Sequence, residues 1–283
     1  RKHKVNGKHH RKRDDDEEDE PPPEDEDDDG EDKFESPLNV FVMADLWKYD
    51  VKYKRWDIIN AGLPAPKHRY LHTAVSVTDN SVKEIDKRKY RMVVFGGVTW
   101  TNEITNDVWL FDPKDNTWIE AEPSGDPPDP REGHCAAVVP AKAQEEKMMV
   151  FGGISYQFMP FNDIWEYDVK GNKWKQEEPT GTIPEPRWMH TCTMDWPPPD
   201  KKPGTWDWAK YTEPKMYVFG GLTVGSVPLD NLYEYDVKKK KWARMSPVGV
   251  PPFPRMLHNS LFAYGRVFVF NGAANNIRFE DMY

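Results

Sequence analysis

The chain has 283 residues and a formal net charge of −9, enough for one large or two small domains. The charge sits in residues 1–36, which hold 8 Lys+Arg against 16 Asp+Glu, while residues 37–283 are close to neutral at −1. A neutral body lacks the basic face of a general nucleic-acid binder, no apolar run approaches the length of a membrane helix, and two cysteines are too few for a disulfide framework or a four-cysteine zinc site.

Residues 1–13 are basic, RKHKVNGKHHRKR, and residues 14–32 carry 15 Asp or Glu around Pro21, Pro22 and Pro23. Val5 and Phe34 are the clearly apolar side chains before residue 37. Such a segment cannot offset its ordering entropy by burial, so residues 1–36 are expected to be a disordered acidic low-complexity region, a solvating linker or a loop insertion. Arg11-Lys12-Arg13 also fits a nuclear import signal or a processing site. The chain starts at Arg1, and a longer parent with further domains is expected.

From residue 44 one unit recurs. Met92-Val-Val-Phe-Gly-Gly97 matches Met148–Gly153 and Met216–Gly221, and Val267-Phe-Val-Phe-Asn-Gly272 is a degraded copy. A second apolar stretch follows each and ends in aromatic-x-aromatic-Asp at Asp112, Asp168 and Asp236; Ala44–Asp50 is an earlier copy. Asp50, Asp112, Asp168 and Asp236 each precede a tryptophan by six residues (Trp56, Trp118, Trp174, Trp242), across a short polar insert suited to a hairpin turn. A proline-rich stretch then leads to Arg-x-x-His: Arg69/His72, Arg131/His134, Arg187/His190 and Arg255/His258. Each unit is predicted to be four short strands: a after the Arg-x-x-His, b ending in Gly-Gly, c ending in Asp and d opening at Trp. The strand-c and strand-d aromatics, nine residues apart, are expected to pack between neighbouring sheets.

These motifs resemble the kelch repeat over roughly residues 44–283. The resemblance implies an all-β fold, a kelch β-propeller of four-stranded antiparallel blades. It covers residues 37–283, with about four to five blades present of an expected six or seven, incomplete at both ends. In a four-bladed closure Tyr283 would compete with Trp47 for one strand-c slot.

The b–c and d–a loops should share one face. Trp100, Tyr156 and Phe158 lie in b–c loops, and Arg131, Arg187 and Arg255 start inner strands beside them, so these six residues are the expected contact zone for a partner. The competing expectation is that each arginine holds its own blade together. An acidic peptide is the expected ligand. Seven of the 12 tryptophans occupy repeat positions and are expected in the core. Trp206 and Trp208, in the 196–214 a–b insertion, form an alternative partner-binding site on the opposite face.

No catalytic residue, cofactor or metal is expected. The four histidines lie on separate blades, too far apart for one ion, and are expected to pack. Cys135 and Cys192 follow their histidines by one and two residues, which puts them on opposite strand faces; a disulfide is therefore not expected. The copper oxidases and nitrile-specifier proteins of the kelch family keep open a metal-dependent enzyme as the alternative. Glu103-x-x-x-Asp107 matches the first half of the specifier iron pattern, Glu-x-x-x-Asp-x-x-x-His, and Phe111 departs from it. The resemblance implies a non-catalytic scaffold or adaptor that binds a protein or peptide, without nucleic acid or membrane. Few cysteines and no Asn-x-Ser/Thr site point to the cytoplasm or nucleus, with secretion as the alternative.

Overall fold

The computed structural model describes residues 42–79, 89–141, 146–197, 211 and 213–283. Residues 1–36, with the expected disorder and the Arg11–Arg13 signal, lie outside the described residues, as do Trp206 and Trp208. The chain is all-β, built of kelch propeller blades. Blade 1 contributes a hairpin, β1 (Trp47–Asp50) and β2 (Arg55–Ile58). Blade 2 contains β3 (Arg69–Tyr70), β4 (Thr73–Thr78), β5 (Tyr90–Thr99), β6 (Ile104–Asp112) and β7 (Thr117–Ala121). Blade 3 is β8 (Cys135–Val139), β9 (Lys147–Phe151), β10 (Ile164–Asp168) and β11 (Lys173–Glu177), in consecutive antiparallel order.

A short β12 (Thr180–Gly181) leaves blade 3 and runs parallel to the outer edge of blade 4. Blade 4 is β13 (Thr191–Met194), β14 (Lys215–Phe219), β15 (Leu232–Asp236) and β16 (Lys241–Arg244). Blade 5 holds β17 (Asn259–Ala263) and β18 (Arg266–Phe270), with a small hairpin, β19 (Ala273–Ala274) and β20 (Ile277–Arg278), after them. Tyr283 exchanges both backbone hydrogen bonds with Val269, at 2.8 and 3.1 Å, so it fills the strand-c place of blade 5. Trp47, whose slot it would otherwise contest, pairs with Ile58 in the separate blade 1 hairpin.

Inner strands read as unbroken apolar runs because both of their faces are covered. Met148 and Val150 join the core between blades 2 and 3, with Phe95, Tyr167 and Trp174. Met149 and Phe151, one residue out of phase, join the core between blades 3 and 4, with Met216, Tyr235 and Trp242. The strand-d tryptophan is the rivet. Trp174 lies 4.9 Å from Tyr167 of its own blade and 4.9 Å from Phe95 of the preceding one; Trp242 repeats this at 4.8 Å from Tyr235 and 4.9 Å from Phe151. Burying such a ring contributes about 3 kcal/mol or more.

Two of the seven repeat tryptophans depart from the expected core. Trp47 and Trp56 are exposed, because among the described residues no blade stacks over the hairpin that carries them.

Turn chemistry follows the sequence. The Asp closing each strand c accepts backbone N–H groups of the turn: Lys114 to Asp112 at 2.9 Å, Gly171 to Asp168 at 2.9 Å and Lys239 to Asp236 at 2.8 Å. The Gly-Gly pairs join blades. The second glycine donates its N–H to the arginine carbonyl of the next blade: Gly97 to Arg131 at 2.9 Å, Gly153 to Arg187 at 2.9 Å and Gly221 to Arg255 at 2.8 Å. Gly153 holds φ at +100°, and a Cβ there would stand 2.9 Å from the Glu132 carbonyl, so a side chain is excluded.

Candidate functional site

Arg-x-x-His is a clamp built once per blade. Arg131 is fully buried. It grips both carboxylate oxygens of Asp163, at 2.6 and 2.9 Å, and donates to the Gly152 and Asp129 carbonyls at 3.0 Å each. The Trp165 indole donates to the same carboxylate at 2.7 Å. Arg69 with Asp107 and Arg255 with Asp281 repeat the arrangement. In blade 4 Asn231 stands at the Asp position and Tyr233 at the Trp position, and Glu185 supplies the missing charge. Its carboxylate takes Arg187 at 2.6 Å, Asn231 Nδ2 at 2.7 Å and the Tyr233 hydroxyl at 3.1 Å. Burial pushes the Glu185 and Asp107 pKa values up, but the guanidinium beside each, together with the hydrogen bonds to the carboxylate, outweighs it and the net direction is down.

This geometry corrects the expected contact zone. Arg131, Arg187 and Arg255 show no exposed surface, and their donors are spent on neighbouring loops. They shape the face without lining it. The reason is chemical: an arginine leading an inner strand sits beside the Gly-Gly carbonyl and the strand-c carboxylate, and a buried guanidinium must satisfy its donors there.

The clamp continues in an open chain of backbone bonds that links the starts of the inner strands from blade to blade. Gly133 donates to Leu71 C=O at 3.0 Å, Met189 to Gly133 C=O at 2.7 Å and Leu257 to Met189 C=O at 3.1 Å. All four residues precede the histidine and hold positive φ, between 52° and 59°.

Three of the four histidines, His134, His190 and His258, pack between blades, whereas His72 is exposed, because among the described residues no blade stacks over its side of blade 2. His134 Nε2 meets Thr73 Oγ1 at 2.8 Å, and His258 Nε2 meets Thr191 Oγ1 at 2.8 Å. Burial, then the neighbouring arginine, lowers the His134 pKa to about 3 and the His258 pKa to about 4. His190 is also driven well below the usual value, and its Nε2 has no hydrogen-bond partner. At the Thr73 and Thr191 position blade 3 carries Cys135, which is bonded to Cys192 of blade 4. The expectation of no disulfide is thus overturned. Stacked blades meet face to face, so side chains that meet across the boundary stand on opposite faces of their own strands.

The surface above the clamps is formed by the b–c loops. Three of these are one five-residue turn. Residues 99–103, 155–159 and 223–227 each close with an N–H of the first residue to the C=O of the fifth, at 2.9, 3.1 and 3.0 Å. The second position holds Trp100, Tyr156 and Val224, exposed by 38%, 73% and 65%. The fourth holds Asn102, Phe158 and Ser226, all at positive φ, and Phe158 is 79% exposed. Between the first two turns lies a cleft of about 750 Å³, lined by Glu103, Asp129, Tyr156, Met159 and Phe161 among others. Asp129 belongs to the d–a segment, so both loop sets line this cleft. Exposed rings on equivalent turns of adjacent blades were visible in the sequence only as scattered aromatics.

The family model of the KLHDC2/KLHL20/DRC7 Kelch-repeats domain matches residues 42–196 and 89–283. The chain belongs to this kelch family. Among curated proteins it is 29% identical over 268 residues to the Leucine-zipper-like transcriptional regulator 1 homolog of Drosophila melanogaster, covering 90% of this chain and 23% of that protein. It is 27% identical to Kelch domain-containing protein 2 of Bos taurus, covering 60% of this chain and 36% of the relative. It is 29% identical to the N-(sulfonatooxy)prop-2-enimidothioate sulfolyase of Thlaspi arvense, covering 68% and 52%. This kelch chain therefore spans between about a quarter and half of these three relatives, and less of others it matches.

Proposed function

We propose that this kelch chain is a non-catalytic interaction scaffold that holds a protein or peptide on the face of its b–c and d–a loops. Trp100, Tyr156 and Phe158 are the contact residues; the Arg69 and Arg131 clamps flank their turns, and Arg187 and Arg255 are buried supports of the same kind under the b–c loops of blades 4 and 5. The carrying observation is the repeated turn, which displays a large apolar side chain outward on three successive blades. Exposed rings on a rigid frame are the composition of protein-binding hot spots. The acidic ligand loses its basis, since the arginines that were to attract it are neutralised internally.

The enzyme alternative draws on the sulfolyase relative. Against it, both Asp107 oxygens are held by Arg69 at 2.7 Å, Trp109 donates to one of them at 2.6 Å, and Phe111 is buried in the core. An iron ligand at Asp107 would have to break the blade 2 clamp. Among the described residues no helix is long and apolar enough to cross a membrane. The compartment stays a proposal between cytoplasm or nucleus and secretion, and the disulfide favours secretion. Affinity capture with the wild type and with Trp100→Ala/Tyr156→Ala is the test. A partner lost by that variant and kept by Trp206→Ala/Trp208→Ala is the expected result; the reverse pattern places binding on the insertion, and iron bound by the purified full-length protein revives the enzyme.

A further inference from the structure

We propose that the turn 155–159 is the docking finger of this face and that its partner is a protein segment presenting a Lys or Arg side chain beside an apolar one. The proposal rests on reading the loop face as a protein-binding surface, and it names the chemistry of what binds there.

The apolar half of the argument comes from comparing three equivalent turns. At the positive-φ position blade 2 carries Asn102 and blade 4 carries Ser226, small polar residues that suit an exposed turn. Blade 3 carries Phe158 there, next to Met159, with Tyr156 two residues earlier, all three largely in water. A bulky aromatic at positive φ is unfavourable for the free chain. The turn does not need it, since the same backbone bonds form with Asn and Ser. Three large apolar side chains exposed together mark a protein contact more often than a solvent surface.

The charged half comes from the cleft at the foot of the finger. Its wall carries the carboxylates of Glu103 and Asp129, and no Lys or Arg is among the residues lining it. Glu103 is paired with Lys67 at 3.5 Å, but both side chains are exposed and the pair is open to water and to exchange for another cation. Asp129 has no ion pair among the described residues. Arg131 lies behind Phe161, 4.3 Å from the ring, with its charge held by Asp163. A cationic side chain entering here meets two carboxylates beside the Tyr156 ring, a setting that suits Lys or Arg through ion pairing and cation–π contact. An acidic segment meets like charge.

The test is selection of random linear peptides displayed on phage against the folded propeller, followed by fluorescence anisotropy of the selected peptides with wild type, Phe158→Gly and Asp129→Lys. The expected motif pairs Lys or Arg with a neighbouring aromatic or aliphatic residue. Binding should weaken about tenfold or more in Phe158→Gly, and in Asp129→Lys with a loss that shrinks as salt rises. Phe158→Gly relieves an unfavourable φ, so its thermal midpoint should equal or exceed that of the wild type. An acidic motif, unchanged binding in both variants, or a midpoint several degrees lower in Phe158→Gly overturns the finger and leaves the interaction reading standing. Failure of the wild type to enrich any peptide overturns the interaction reading as well.

Discussion

Cys135 and Cys192 are joined by a disulfide across the boundary between blades 3 and 4, with their Cα atoms 5.7 Å apart. The bond replaces a hydrogen bond. In the two flanking boundaries a threonine hydroxyl meets the histidine of the next blade, Thr73 with His134 and Thr191 with His258. At this boundary the threonine position is Cys135, its sulfur is committed to Cys192, and His190 Nε2 is left alone. A covalent staple has taken over from the polar pair.

That exchange yields the first prediction. The disulfide spans 57 residues, and losing it should cost about 2–4 kcal/mol. Cys135→Ala loses the staple and leaves His190 unsatisfied. Cys135→Thr also loses it but restores the hydroxyl present at the flanking boundaries, recovering about 1 kcal/mol. Urea unfolding of the two variants reads the difference. Equal stabilities would show that the threonine position does not serve His190, and alkylation of two free thiols in the oxidised wild type would contradict the bond itself.

How much of this was readable in the sequence depends on the kind of interaction. Gly-Gly, Asp and Trp recur at fixed spacing in every unit because each blade makes the same turns and the same contacts to its neighbour, so their order marks the strands and the strand-d rivets. Arg131 was expected in the contact zone, with a blade-holding role as the competing expectation; the structure favours the second, and the sequence alone does not show that Asp163, 32 residues on, comes within 2.6 Å of it. The disulfide was missed for a related reason: face parity was judged within one strand, while the contact is made between two stacked sheets. Trp56 was assigned to the core by its repeat position, although a rivet is buried only where a neighbouring blade covers it.

Blade 4 offers a test of the clamp. Asn231→Asp should place a second carboxylate beside Glu185, to which Asn231 donates at 2.7 Å, and lower stability. Glu185→Gln should also destabilise by removing the charge that neutralises buried Arg187, at about 3–5 kcal/mol. The double variant restores one carboxylate opposite the guanidinium, as Asp163 stands opposite Arg131, so the losses should largely cancel. A double-mutant cycle by denaturant unfolding measures this coupling; simple additivity of the two losses would refute the shared-charge account.

Acid sensitivity should come from the histidines. His134 and His258 have folded pKa values lowered to about 3 and about 4 from the ordinary 6.5, and His190 moves the same way. A depressed folded pKa means that the unfolded chain binds the proton first. The stabilisation is complete above the unfolded value and is lost as pH falls from 6.5 towards the folded values, at up to about 1.4 kcal/mol per pH unit for each group. Unfolding free energies at successive pH values through this window should therefore decline. His258→Gln should flatten the decline, and an unchanged slope in that variant would remove His258 from the acid response.

The links between blades can be tested at two glycines that share a sequence context and differ in what surrounds them. Gly181 in β12 runs beside the outer strand of blade 4, with φ at +86°, and a Cβ there would overlap the Trp242 carbonyl. Gly249 follows Val248 at the corresponding place after blade 4, with φ at +106° and open space around it. Alanine at Gly249 meets only the backbone penalty of a positive φ, about 1–2 kcal/mol. Alanine at Gly181 meets that penalty and a steric conflict of about 1–3 kcal/mol more, because β12 must lift from Trp242 to make room. Since Trp242 is the rivet of the boundary between blades 3 and 4, the excess should appear as a lower thermal midpoint for Gly181→Ala than for Gly249→Ala. Equal midpoints for the two variants would mean that β12 does not bear on Trp242.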